Sequence, residues 1–434
     1  EFRGSYSDRF HWNKYNGLEH NTCWSKMNFR IKDVKARQVL DGRGKPTIEV
    51  DFITEDGVLG RASVPSGTSR GKYEAVELRD GGNAYCGLSV LKAIENVNDV
   101  IREKIVGIDV RKQNEIDRIM VEADGTENKS RLGANSILAV SLAAVKAAAL
   151  SLKMPEYLYV ARLIKRDTLK VPYIMLNVVW GGINYLGKNS FEDHMIVPVE
   201  KFTFPEALRA SIEVYYKLGE IIKDRYGKIA LAGGNYMPPI RSEEEAFKVI
   251  EKALDKSGYK NDFRLAIDAA ADQLYDRKRD RYIIFDKEFT DDELLQYYSR
   301  LVEEYNIISV EDPFHEDDFR NFSEITKKLD IMVVGDDIFS TNIKRLKEGV
   351  EKEAANAILF KVNQVGTITE ALETAEYATK NNYTIVASMR SGETEDTIQS
   401  DIAVAIGAKY LKGSVSGGER TAKYNRLLRI YEEL

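Results

Sequence analysis

Polar and apolar residues alternate from Phe29 to about Gly60, in IKDVKARQVL, TIEVDFITEDG and VLGRASVP, with breaks at glycine and proline. Period-two alternation punctuated in this way predicts an antiparallel meander of half-buried strands. A glycine-rich loop, VPSGTSRGKYE, follows, and the period then lengthens to that of helices in GLSVLKAIENVNDVIREKIV, RKQNEIDRIMVEA and LGANSILAVSLAAVKAAALSL. The last of these is apolar nearly all round, as expected of a helix buried on every side. Residues 27–165 therefore read as a small α+β domain. Beyond them, short apolar runs are separated by amphipathic stretches of helix length: YIMLNVV, HMIVPV, RLAIDAA, IISVEDPF, IMVVGDD, AILFKVNQ, YTIVASMR and KYLKGS. Alternating β and α segments predict a parallel sheet. Eight such strands within residues 166–434 have the size of a β/α barrel, so the fold class is α/β.

Composition narrows the function classes without choosing one. A hydrophobic fraction of 43% and a charged fraction of 30% are those of an ordinary globular protein. The formal net charge of −6 gives no basic footprint for nucleic acid. Two cysteines, Cys23 and Cys86, support neither a disulfide framework nor a cysteine zinc site. Four histidines without HxxxH spacing do not suggest a histidine metal cluster, and no uninterrupted apolar run reaches 18 residues. Residues 1–26 lack the apolar segment of a secretory signal and are expected to be a disordered or non-native extension. The cytoplasm is the expected location.

Charge placement along the second half carries the chemistry. Asp268, Glu311, Asp336, Lys361, Arg390 and Lys412 each follow the end of an apolar run, at spacings of 43, 25, 25, 29 and 22 residues. In a β/α barrel the carboxyl ends of successive strands meet at one mouth, and charges gathered there are too costly to be core filler. Three carboxylates suit a hard divalent ion such as Mg2+, although each read alone is equally a helix N-cap after its strand. Lys361, flanked by apolar residues and facing other cations, is expected to have lowered basicity and to be a candidate general base. Its plainer reading is an ion pair with a barrel carboxylate. Arg390 with Ser391 has the donors to grip phosphate, and Lys412 can take a carboxylate.

These segments resemble the enolase (phosphopyruvate hydratase) family over nearly all of residues 29–434. The resemblance lies in DGRGKPTIEV, VPSGTSRGKYEAVELRD, LGANSILAVSLA, SVEDPF, VVGDD, LFKVNQVGTITE, SMRSGETEDT and TAKYNRLLRI. It implies an enolase-like fold, a small α+β N-terminal domain followed by a TIM-type β/α barrel. It implies Asp268, Glu311 and Asp336 as metal ligands, with Ser69 in the loop SGTSRG helping to bind a second Mg2+. Lys361 would abstract the proton α to the substrate carboxylate, Lys412 would hold that carboxylate, and Arg390 and Ser391 would bind phosphate. The implied partner is a small phosphorylated or phosphonylated carboxylate, by default in the interconversion of 2-phosphoglycerate and phosphoenolpyruvate. Homodimers are common in the family, and EAVELRD with GGERTAKYN resembles its interface segments.

The departures from the family pattern fall on one side of the reaction. Met389 stands where the family has a histidine, and Asn184, a substrate-binding position, stands at the histidine of its GGSH loop. The family's Gln-Glu pair is here Glu192-Asp193. LAGGNYMPP, residues 231–239, replaces GDEGGFAP and lacks the general-acid glutamate. Losing a general acid costs roughly 10²–10⁴ in rate. Asp193, Glu192 and His194 are the candidate replacements, of which strand alternation lets at most two face the mouth. His315 in EDPFHEDD is a further candidate. Three outcomes stay open: the ordinary hydro-lyase, an enzyme with altered substrate or reaction on phosphoenolpyruvate or phosphonates, and a catalytically inactive binding protein. An intact ligand and base side beside a changed acid side favours a re-tooled enzyme.

Overall fold

The computed structural model describes residues 28–68, 71–183, 188–228 and 230–434. The alternating N-terminal segments form the expected meander, β1 (Ile31–Leu40), β2 (Pro46–Thr54) and β3 (Leu59–Ser63), antiparallel throughout. Its covered face lies on α1 (Ala134–Ser151), the alanine-rich helix. Small side chains let strand and helix approach closely. A Cβ added at Gly60 would lie 2.4 Å from the Ala143 carbonyl and from the Ala147 nitrogen. Among the described residues, α1 is the one helix long and apolar enough to cross a membrane, and 89% of it is buried inside the fold.

The eight apolar runs of the second half are the eight staves of a closed barrel. They are β4 (Tyr173–Trp180), β5 (Asp193–Pro198), β6 (Phe263–Asp268), β7 (Ile307–Glu311), β8 (Met332–Gly335), β9 (Ala357–Phe360), β10 (Thr384–Ser388) and β11 (Tyr410–Gly413). β11 pairs back onto β4 and closes the cylinder. Helices cover the outside, and their ends are written in the sequence. Helix α2 (Phe204–Tyr226) opens with Thr203 and Glu206 in a reciprocal capping box and stops at Gly227, whose φ is 78°. Helix α3 (Glu243–Lys256) follows the N-cap Ser242, whose hydroxyl accepts from the Glu245 amide.

The expectation of an all-parallel sheet is corrected at β5, which runs antiparallel to both neighbours, β4 and β6. Among the described residues its connection to β4 shows no crossover helix, and only such a crossover returns the chain in the same direction. The reversal matters chemically. The amino end of β5 lies at the mouth with the carboxyl ends of the other strands, so Asp193 is in register with Asp268. Sequence periodicity also missed a small three-stranded sheet at Tyr275–Asp276, Arg281–Ile284 and Lys287–Phe289. Its signal was present as alternation in RYIIFDKEF around a tight turn.

Candidate functional site

Neighbouring strands deliver their charges to one place because their registers match. Asp268 pairs with Glu311 across β6 and β7, and Ser388 pairs with Lys412 across β10 and β11. The Lys412 ammonium lies 2.6 Å from Asp268 Oδ2, 2.8 Å from both Glu311 oxygens and 3.8 Å from Asp193 Oδ2. Asp336, one residue beyond β8, accepts from the Lys361 ammonium and from Gln364 Nε2 at 2.9 Å. Four buried carboxylates (Asp193, Asp268, Glu311 and Asp336) thus face two ammonium groups, a surplus of two negative charges when all four are counted as ionised.

That surplus shows in the acidities. Burial, then the Asp268 charge, pushes the Glu311 carboxyl well above the usual carboxylate range. Burial works to raise Asp336 as well, but the Lys361 ammonium outweighs it and holds this group below its ordinary value. Lys412 keeps its charge strongly, because Asp268 and Glu311 overcome the effect of burial. Lys361 departs from expectation in this arrangement. Burial acts to lower its pKa, yet the Asp336 carboxylate raises it overall. The expected loss of basicity therefore needs Asp336 to be engaged elsewhere.

A divalent ion fits this donor set by charge and by chemistry. Asp268, Glu311 and Asp336 offer hard carboxylate oxygens, and a dication cancels the surplus of two. A second group, Asp312, Asp336 and Asp337, has carboxylate oxygens within 4.8 Å of one another. The Asp312 carboxylate accepts from the backbone amides of Asp336 (2.9 Å) and Asp337 (2.8 Å), so it fixes the turn after β8. Ser69 and Asn184 lie outside the described residues.

The Asp193 side of the site is built by the reversed strand. Asp193 points into the barrel toward Lys412, whereas His194, fully buried, points outward to Glu243. Burial is the chief cause that lifts Asp193 to about 6 and the neighbouring Glu192 to about 8. For Glu192 the charges of Asp268 and Asp193 add to it. Gln273, in the one-turn helix Ala271–Leu274 after β6, donates to Glu192 Oε2 at 3.1 Å. His315 is stacked on Tyr275 at 4.6 Å between ring centroids, and its Nδ1 accepts from the Asp317 amide at 3.3 Å. In the LAGGNYMPP segment, Leu231–Ala232 and Asn235–Tyr236 form a two-residue hairpin attached to β4 through Val179 and Tyr236. Met389 is 6% exposed, with its sulfur packed over Gly413, where a Cβ would come within 2.6 Å of it.

The N-terminal domain closes over Arg390 and Ser391, a contribution that periodicity along the barrel could not reveal. Arg390 donates to both Glu74 oxygens at 3.2 Å and to Asn363 Oδ1 at 3.4 Å. The Ser391 hydroxyl accepts from the Thr68 amide at 2.9 Å and from Arg43 Nη1 at 3.1 Å. Ser66 and Gly392 exchange two backbone hydrogen bonds of 2.9 Å. Arg43, Thr68 and Glu74 lie some three hundred residues before the groups they meet. Only the polarity of DGRGKPT and PSGTSRGKYE hinted at them.

Comparison with known proteins agrees with this architecture. Residues 31–160 match the family model described as the enolase N-terminal domain, and residues 167–434 match the enolase C-terminal TIM barrel domain. The chain is 48% identical over 410 residues to the enolase of Methanocaldococcus jannaschii, covering 94% of this chain and 96% of that protein. It is 48% identical over 413 residues to the enolase of Methanopyrus kandleri, covering 93% and 96%. With both domains matched in order, and relatives aligned over nearly their whole length, this chain belongs to the enolase family.

Proposed function

We propose that the chain is a Mg2+-dependent hydro-lyase that interconverts 2-phosphoglycerate and phosphoenolpyruvate, with Lys361 as base and the Glu192–Asp193 pair as acid. The observation that carries this reading is the gathering of Asp268, Glu311 and Asp336 at the mouth with Lys361 on one side and the raised-pKa pair Glu192 and Asp193 on the other. Asp268, Glu311 and Asp336 would hold the ion, which when bound would supply positive charge beside the substrate carboxylate.

Arg390 and Ser391 hold the phosphate, and Lys412 holds the carboxylate. Lys361 is deprotonated at the moment it takes the α-proton, so its pairing with Asp336 gives way in the substrate complex. Its buried position, with Arg390 and Lys412 nearby, then lowers its pKa. Glu192, lifted to about 8, stays protonated at neutral pH and has a proton to give to the departing hydroxyl. Cytoplasmic residence and homodimeric assembly belong to the same proposal.

Phosphoenolpyruvate formation from 2-phosphoglycerate with Mg2+, abolished in Lys361→Ala, is the expected result. Exchange of the α-proton with solvent deuterium, without phosphoenolpyruvate, would point instead to the enzyme of altered reaction. Mg2+ binding with neither signal would leave the binding protein.

A further inference from the structure

Glu243 is the first residue of α3, outside the barrel wall, and is fully buried. A carboxylate is costly there unless its oxygens are engaged. Its Oε1 accepts from the Phe191 amide at 2.9 Å, and its Oε2 lies 2.8 Å from His194 Nε2. The His194 ring is also fully buried, and its Nδ1 has no hydrogen-bond partner among the described residues. The tautomer with the proton on Nε2 is therefore the cheaper one, because it leaves a lone pair rather than an N–H unpaired. Both rings are held from the side: Phe191 stacks on Tyr298 at 5.7 Å, and His194 meets Phe247 edge-on at 5.2 Å.

The two residues tied to this one carboxylate are those that flank Glu192 and Asp193. Asp193 itself is weakly held by its side chain. Its Oδ1 has no hydrogen-bond partner among the described residues, and Oδ2 stands 3.8 Å from Lys412. Its position is consequently set by its backbone, which the β5 ladder pairs with Trp180 and Asp268 and which Glu243 ties on either side, through the Phe191 amide and the His194 ring. We infer that Glu243 and His194 form a buried clamp that positions the Glu192–Asp193 acid pair at the mouth. Neither residue touches substrate; both are positioning residues. The inference rests on the function proposed above.

Removing the clamp is expected to displace the acid while leaving the base, on the opposite arc of the barrel at the end of β9, in place. In Glu243→Ala the kcat for dehydration should fall about a hundredfold, the loss that an ångström of misplacement causes. The KM for 2-phosphoglycerate and the rate of α-proton exchange should stay near wild type. Glu243→Gln keeps an acceptor for the Phe191 amide and should retain most of the rate. If Glu243→Ala does not fold, a second pair decides: His194→Gln keeps a donor at similar reach and should work, whereas His194→Phe should lose dehydration selectively. Variants that leave dehydration unchanged, or slow exchange and dehydration equally, overturn the clamp. A wild-type chain inactive in both reactions overturns the proposed function and this inference with it, so the two failures are distinguishable.

Discussion

Replacing Lys412 by methionine removes one charge from the centre of the mouth with little change in volume. The ammonium touches Asp268 at 2.6 Å and Glu311 at 2.8 Å. Each contact is worth roughly 6 kcal/mol of Coulomb energy at an effective dielectric near 20, before desolvation and carboxylate repulsion are subtracted. The net cost of orphaning such buried partners is about 3–5 kcal/mol. At roughly 2–4 °C per kcal/mol for a domain close to the barrel's size, melting should fall by about 6–20 °C without metal.

The deficit should depend on pH. Glu311 already sits well above the usual carboxylate range, and loss of the ammonium raises it further. The folded state then binds a proton that the unfolded chain has released, so stability falls as pH rises from the unfolded pKa toward the raised folded one. The variant should be nearer to wild type at about pH 5 than at about pH 8. Mg2+ should also rescue it selectively. In the wild type the ion competes with an ammonium for Asp268 and Glu311, whereas in the variant it meets them free. An ion at ten times its dissociation constant adds about 1.4 kcal/mol, and the variant should reach that point at lower concentration. Thermal unfolding across a Mg2+ titration reads this directly. Equal shifts in both proteins, or none in the variant, would falsify the assignment of these carboxylates to a cation site.

Two other outcomes are expected. Because a general acid must carry its proton, dehydration should decline as pH rises through about 8, the value to which burial and neighbouring carboxylates lift Glu192; Glu192→Gln should abolish that limb in a pH–rate profile. Gly60→Ala should destabilise the N-terminal domain by about 1–3 kcal/mol or more, since its Cβ would meet helix backbone at 2.4 Å; unchanged denaturant unfolding would mean that β3 and α1 are not packed this closely.

The linear pattern of apolar and polar residues determined much of this protein. Alternation up to Gly60 marked the meander, the unbroken apolar surface of Ala134–Ser151 marked a buried helix, and eight short apolar runs marked the barrel staves. Backbone geometry imposes those periods locally, so they survive in the sequence. The charges at the run ends were legible for the same reason: a residue at the carboxyl end of one of the parallel staves has nowhere to be but the mouth. Tertiary structure decided the rest. The direction of β5, antiparallel to both neighbours, is set by its pairing with β4 and β6, and no local period encodes strand direction. The pairing of Lys412 with Asp268 and Glu311, and of Lys361 with Asp336, depends on register between strands far apart in the chain. So does the closure of Arg43, Thr68 and Glu74 over Ser391 and Arg390, across more than three hundred residues. Charge–charge energies depend on distance and burial in space, and these arise only once the cylinder has closed and the N-terminal domain has settled on its mouth.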